Sequence, residues 1–308
     1  MTMTILRTGP LTVIKDEGRP GHAGQGVAPS GAVDRGAYAR ANALVGNPRG
    51  AAALECTLGG LRVRFDEPAT VVLTGTDAVL TVDGTRTAVE EVVSVPAGAE
   101  VAVTMPRRGL RSYLAVRGGL AVPPVLGSRS TDRLAGIGPP KPAAGDTLPI
   151  GPSPAAPSPA SPSLTASSAP SASPAASSAG SPSAEGVDGP ADPDAPLEVD
   201  LGPRAGWFTA AAIETLLSAE FTVSPSSDSV GLRLDGPVLA RARTEELPSE
   251  GVVRGSVQVP PDGHPIVFQA DHPVTGGYPV IAVLTPAAAD RAAQARPGAR
   301  LRFVVAPE

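Results

Sequence analysis

SEGVVRGSVQVPPDGHPIVFQADHPVTGGYPVIAVL, residues 249–284, decides the fold of this chain. Three short apolar runs lie in it: Val257-Gln258-Val259, Ile266-Val267-Phe268 and Val280-Ile281-Ala282-Val283-Leu284. Each has strand length, and Pro260-Pro261-Asp262-Gly263 is a turn signal between the first two. The second and third are joined by Asp271-His272-Pro273-Val274-Thr275-Gly276-Gly277-Tyr278-Pro279, which is polar and glycine-rich. Two readings of that loop stay open. Gly276 and Gly277 offer little steric obstruction to a ligand, with the hydroxyls of Thr275 and Tyr278 and the Asp271 carboxylate beside them. Alternatively, this is a hairpin loop whose glycines only satisfy backbone geometry.

Turn-separated strands continue on both sides. Thr4–Leu6 and Leu11–Ile14 flank Gly9-Pro10; further strand candidates are 53–58, 61–65, 70–74, 78–82, 91–95, 101–105 and 111–116. Turn residues at such short intervals mark a barrel or sandwich, not alternating strand and helix. Asp16 to Asp34 is a long polar loop, of a length that is either functional or disordered. One helix follows from Arg35 to Val45, with Ala37, Ala41, Leu44 and Val45 on its apolar face and Asp34 as N-cap or ligand contact. Gly46-Asn47-Pro48 stops it. Later helices are short: 210–217, with Thr209 as its cap, and 286–295.

The 308 residues suggest two domains. Hydrophobic residues make up 42% but aromatics only 3%, so Ala, Val and Leu must fill the cores. The formal net charge of -5 argues against nucleic acid, which rewards a basic footprint. A single cysteine, Cys56, excludes an internal disulfide, fits a reducing cytoplasm and reads as a small buried hydrophobe. No apolar run of membrane-spanning length is present, and the N-terminus does not read as a signal peptide. Composition changes at about Ile150. Ser, Pro and Ala then dominate, a makeup that cannot repay the entropy of ordering. The expected organisation is an N-terminal lobe over 1–150, a disordered insert over 151–196 and a C-terminal lobe over 197–308.

No GxxxxGK[ST], HExxH or GxSxG pattern occurs, and three scattered histidines do not make a metal site. The best constellation joins Asp16, Arg19, Ser30 and Asp34 to Glu250, Gln258, Asp271, Thr275 and Tyr278. Its amides, carboxylates and hydroxyls suit a small polar amide or carboxylate, with an Asp or Glu as base. Glu55 and Thr57 share a strand face, and Arg233 lies opposite Leu232 and Leu234, where a cleft would receive it. Arg129 is read as a surface partner of Asp132, with ligand binding by either as the alternative.

At these residues the chain resembles the biotin-dependent carboxyltransferase-like family, which includes one of the three subunits of the bacterial ATP-dependent 5-oxoprolinase. The resemblance rests on Asp16-Glu17-Gly18-Arg19 with Gly21, Pro29 to Asp34, Asn42 to Asn47, and Ala53-Leu54-Glu55 with Thr57 and Gly59. It continues through Arg111 to Val116 with Gly118-Gly119, Gly127-Ser128 with Ser130-Thr131-Asp132, Ser249-Glu250-Gly251, Gln258-Val259-Pro260 and Thr275 to Pro279. It implies a mostly β protein of two barrel-like lobes of cyclophilin-like type with a few short helices. It implies work in the cytoplasm beside two other 5-oxoprolinase subunits, opening the lactam of 5-oxoproline to L-glutamate. ATP would be shared with or bound by a partner, and no biotin attached to this chain. The alternatives are a carboxyltransferase subunit acting on carboxybiotin and a urea-like substrate, or a regulatory protein antagonising a kinase inhibitor. Implied catalytic residues are Asp34, Glu250, Asp271, Thr275 and Tyr278; implied binding residues are Asp16, Arg19, Ser30, Glu55, Arg233, Gln258, Gly276 and Gly277. No metal is implied. Three positions depart from the family pattern: Ser229 replaces an arginine, Arg254 a proline, and His272-Pro273-Val274 an Arg-Gln-Thr. The first predicts loss of a positive group from the cleft.

Overall fold

The computed structural model describes residues 1–154 and 195–307. The expected disordered insert falls almost entirely outside the described residues. The N-terminal strands are β1 (Thr2–Thr8), β2 (Leu11–Lys15), β3 (Ala53–Thr57), β4 (Leu61–Phe65), β5 (Ala69–Thr74) and β6 (Leu80–Val82). They continue as β7 (Thr85–Arg86), β8 (Val93–Val95), β9 (Glu100–Val103), β10 (Arg111–Val116) and β11 (Thr147–Pro149). Two sheets result, ordered β11-β1-β4-β9-β6-β7 and β2-β3-β10-β5-β8. Gly9-Pro10 is thus a corner between sheets and not a hairpin turn, since β1 pairs with β4 and β2 with β3.

Met3, Ile5, Val63 and Val101 from one sheet pack against Leu54, Val71, Leu114 and Val116 from the other. Burying each such side chain stabilises the fold by about 1.5–3 kcal/mol. Alternation is clean in β4, where Leu61, Val63 and Phe65 are buried and Arg62 and Arg64 exposed. In β10 all six residues are buried. Its outer face is covered by helix α1 (Arg35–Leu44), whose Ala37, Tyr38 and Ala41 pack with Tyr113 and Ala115.

The C-terminal strands are β12 (Leu197–Leu201), β13 (Phe221–Val223), β14 (Gly231–Asp235), β15 (Glu250–Gly251) and β16 (Ser256–Gln258). After them come β17 (Ile266–Phe268), β18 (Thr275–Gly276), β19 (Val280–Leu284), β20 (Arg300–Leu301) and β21 (Phe303–Val305). Eight form one sheet, β20-β13-β14-β17-β16-β19-β12-β21. The two ends of that order, β20 and β21, are separated only by Arg302, so the sheet nearly closes into a barrel. The three apolar runs of 249–284 lie side by side at its middle, β16 pairing with β17 on one edge and β19 on the other. Helices α2 (Ala210–Ser218) and α3 (Pro286–Ala292) add Ala212, Leu216, Ala288 and Ala292 to its core. The protein is therefore mostly β, with short helices and one barrel-like sheet. The N-terminal lobe is two sheets on a shared core.

The lobes meet through α1 and α3. Val33, Ala270 and Ala293 form a small apolar contact. Asp290 of α3 accepts from the backbone N–H groups of Arg35 and Gly36 at 2.9 and 3.0 Å. Arg254 bonds both Asp290 (2.5 Å) and the Val33 carbonyl (2.8 Å). A carboxylate from one lobe thus meets the first turn of a helix in the other, where the helix dipole favours negative charge. Among the described residues no helix is long and apolar enough to cross a membrane.

Candidate functional site

The 16–34 loop returns along the end of the N-terminal lobe and is held there by its own carboxylate. Asp16 accepts from Gly18 N–H (2.8 Å), the Ser128 and Ser130 hydroxyls (2.6 and 2.8 Å) and Arg129 N–H (2.5 Å). Arg19 lies fully buried beneath this segment and donates to the Ser130 carbonyl. Its Nη1 stands 3.9 Å from Asp132 Oδ2. Asp16 and Arg19, expected to bind a ligand, are bonded to the segment 128–133. Arg129 does not pair with Asp132. It donates to the Val122 carbonyl, while Asp132 Oδ1 accepts from the N–H groups of Leu134 and Ala135.

Where the lobes meet, Asp271 is the centre of a buried cluster. Lys15 at the end of β2 places Nζ 2.9 and 3.1 Å from its two oxygens, both side chains being 0% exposed. Ser30 donates to Oδ1 at 2.5 Å and Ser229 to Oδ2 at 2.7 Å. Lys15 also donates to the Thr131 carbonyl at 2.8 Å. The cluster draws on both lobes, and every charge in it is partnered, as burial demands. The sequence reading missed Lys15. Ser229, where a positive group was expected to be lost, touches the carboxylate that Lys15 holds.

Asp34 caps α1 through Ala37 N–H (2.9 Å) and receives Gln294 Nε2 from the other lobe at 2.6 Å. Gln294 Oε1 in turn accepts from Leu110 and Arg111 N–H at 2.8 and 2.9 Å. Burial, helped by the nearby Asp290 charge, raises the Asp34 carboxyl to about 6. The fold thus favours the protonated acid, and stability is lost as pH rises from the ordinary 3.8 to about 6. Asp34→Ser keeps a capping oxygen without the charge. Wild type minus variant stability, measured by urea unfolding, is expected to fall by about 2–3 kcal/mol across that window. A flat difference would show that the carboxyl titrates normally.

Glu55 is buried and accepts from the Tyr113 hydroxyl (2.8 Å) and Val33 N–H (3.0 Å). Both partners lie inside the protein, which makes Glu55 a brace for the α1 entry. Cys56 is buried as expected, and burial pushes its thiol up to about 12.

The remaining expected residues lie elsewhere. Glu250 is ion-paired with Arg204, which holds its carboxyl below the usual range and makes it a poor base. Thr275 and Gly276 form a two-stranded ribbon with Glu250–Gly251. Thr275 and Tyr278 are exposed, and neither hydroxyl makes a hydrogen bond among the described residues. The Tyr278 ring instead lies under Arg241, 5.9 Å from centroid to guanidinium. Gln258 is buried and donates to the Tyr278 carbonyl at 2.7 Å. A Cβ at Gly276 would sit 2.4 Å from that amide, which would have to shift to admit it, whereas Gly277 is open. Arg233 is exposed on the outside of β14 and does not join the cluster. Among the described residues no group of three or more His, Cys, Asp or Glu side chains is placed to hold a metal.

Comparison with known proteins matches this architecture. The family model for the carboxyltransferase domain, subdomains A and B, matches residues 25–305. A 5-oxoprolinase subunit of Escherichia coli (strain K12) is 35% identical over 305 residues, covering 98% of this chain and 90% of that protein. The urea amidolyase of Lachancea kluyveri is 29% identical over 96% of this chain but only 16% of its own length. The crystal structure of the K. lactis urea amidolyase superposes with a TM-score of 0.83 at 28% identity, over 99% of this chain and 18% of that one. With both lobes, their junction and nearly the full sequence accounted for, the chain belongs to the carboxyltransferase-domain family that spans this 5-oxoprolinase component and the urea amidolyases.

Proposed function

We propose that this chain is the carboxyltransferase-type subunit of a multi-subunit enzyme and handles a small planar amide where its lobes meet. The Asp271 cluster carries this reading. A buried carboxylate held at 2.5–3.1 Å by Lys15, Ser30 and Ser229 from both lobes fixes the lobes against each other at the junction that would receive the substrate. The chain lacks a nucleotide loop and a biotin-attachment sequence, so ATP chemistry or carboxybiotin is supplied by partner subunits. Urea or a urea-like amide is one substrate that such a site accepts.

A second reading is favoured by length. The match to the 5-oxoprolinase component from Escherichia coli covers nine-tenths of that protein, whereas the urea amidolyase match covers a sixth. On this reading the amide is the lactam of 5-oxo-L-proline, activated with ATP and opened to L-glutamate in the cytoplasm by this chain and two partner subunits. Reconstitution with those partners separates the readings by product: glutamate from 5-oxo-L-proline, or carboxylated urea with a biotin carboxylase partner. The isolated chain is expected to turn over neither. Asp271→Asn, which also leaves the buried Lys15 without its charge partner, is expected to lower whichever activity appears at least tenfold per assembled complex. Full activity in that variant would remove the cluster from the site.

A further inference from the structure

We propose that the open side of the N-terminal lobe is a second ligand site, taking a small molecule with an apolar body and an ammonium group. The site lies between β2 and β11, the edge strands of the two sheets. A cleft of about 490 Å³ opens there, within the range of about 300–1,000 Å³ usual for small-molecule sites. Its floor is core: Ile14, Val122 and Leu148 line the cleft and belong to the cluster that fills the lobe. Pro123, Pro139, Pro140 and Pro142 wall it. Proline fixes its own φ, so such walls resist collapse into the opening. Core surface left open in this way favours an apolar occupant.

The polar groups of the cleft are chiefly acceptors. Each proline contributes a carbonyl and no N–H. The N–H groups of Val125 and Asp146 are spent on the Ser128 and Ala143 carbonyls. Asp146 is the one charged lining residue, and Thr147 supplies the one side-chain hydroxyl. One Asp146 oxygen accepts from Ala143 N–H at 2.8 Å; the other has no hydrogen bond and no ion pair among the described residues. An apolar cleft with an exposed, half-free carboxylate complements a cation carrying an apolar body and opposes an anion. Occupancy is connected to the lobe junction by Thr131. Its N–H donates to the Ile14 carbonyl at 2.8 Å and its hydroxyl to the Pro139 carbonyl at 2.9 Å. Its own carbonyl accepts from Lys15 Nζ at 2.8 Å. One residue thus joins two lining residues to the Lys15–Asp271 pair.

The test is calorimetric titration of the full chain with 4-phenylbutylamine, 4-phenylbutanol and 4-phenylbutyrate, which share one apolar body. The amine is expected to saturate one site at least fivefold more tightly than the alcohol, with the acid weakest. Asp146→Asn keeps an acceptor for Ala143 N–H and should bring the amine and the alcohol within about twofold. NMR spectra of the chain carrying labelled histidine read the connection to the junction. His272, next to Asp271 and 3% exposed, is one of three histidines, and His272→Gln identifies its ring resonance by difference. The amine is expected to shift that resonance. Thr131→Val, which loses the bond to Pro139, should reduce the shift without abolishing binding. No saturable binding of the amine, equal affinity for the three probes, or an amine preference that survives Asp146→Asn overturns the site. Binding lost on assembly with partner subunits, or a dimer dispersed by the amine, assigns the cleft to a protein neighbour and overturns it as well. A bound amine with an unmoved His272 resonance refutes the connection through Thr131.

Discussion

Lys15→Met is expected to destabilise the protein by about 3–5 kcal/mol, the cost of leaving a buried charge without its partner. Lys15 and Asp271 are both fully buried, so water cannot replace the ammonium. Ser30 and Ser229 would still donate to the carboxylate, but two neutral hydroxyls do not offset a full charge. Met keeps most of the side-chain volume, which confines the change to the charge and its hydrogen bonds. Urea unfolding of the variant at neutral pH measures the loss. Asp271→Leu in the same background should recover part of it, because a pair replaced by apolar groups is often tolerated. Recovery cannot be complete, since both serine hydroxyls and the Thr131 carbonyl then lose their partner. A loss below about 1 kcal/mol in the single variant, typical of exposed pairs, would mean that the junction opens to water in solution.

The residues that sequence located best obey local rules. Asp34 and Thr209 each occupy the expected cap position and accept from the N–H three residues on. Arg111–Val116, Ile266–Phe268 and Val280–Leu284 are strands within the bounds that their apolar runs set. The 16–34 loop, whose length left it either functional or disordered, supplies Ser30 to the cluster. Pairing between distant elements was the illegible part. Lys15 lies 256 residues from Asp271, and nothing near either residue announces the other. A signal did exist: Lys15 extends a strand two residues past Val13, on the same face, just before a glycine-rich loop. A cation at such a place needs a buried anion or an exit to solvent. Thr275 and Tyr278 lie apart from the cluster. Their hydroxyls beside two glycines are exposed, next to the ribbon with Glu250–Gly251. A side chain at Gly276 would meet the Gln258 amide beneath it.

Gly138→Ala is expected to cost more than 3 kcal/mol and to disturb the junction, whereas Gly136→Ala should cost about 1 kcal/mol. Both glycines have positive φ, +100° at Gly138 and +67° at Gly136. Backbone strain alone therefore penalises both, by about 1–3 kcal/mol for a non-glycine residue. Their surroundings differ. A Cβ at Gly136 meets nothing within 4 Å. At Gly138 it would lie 2.1 Å from the Ser130 carbonyl oxygen and 3.0 Å from Arg19 Nη2. That carbonyl accepts from Arg19, so relief of the clash must move the acceptor of a fully buried guanidinium whose Nε and Nη1 make no hydrogen bond. Ser130 also bonds Asp16, and Thr131 next to it holds Lys15. The displacement thus runs from the loop to the Lys15–Asp271 pair through adjacent residues. Unfolding free energies of the two variants separate strain from collision, and the His272 ring resonance reports whether the shift reaches the junction. Equal losses for both variants, with an unmoved His272 signal, would show that the 130–138 segment yields without transmitting the change.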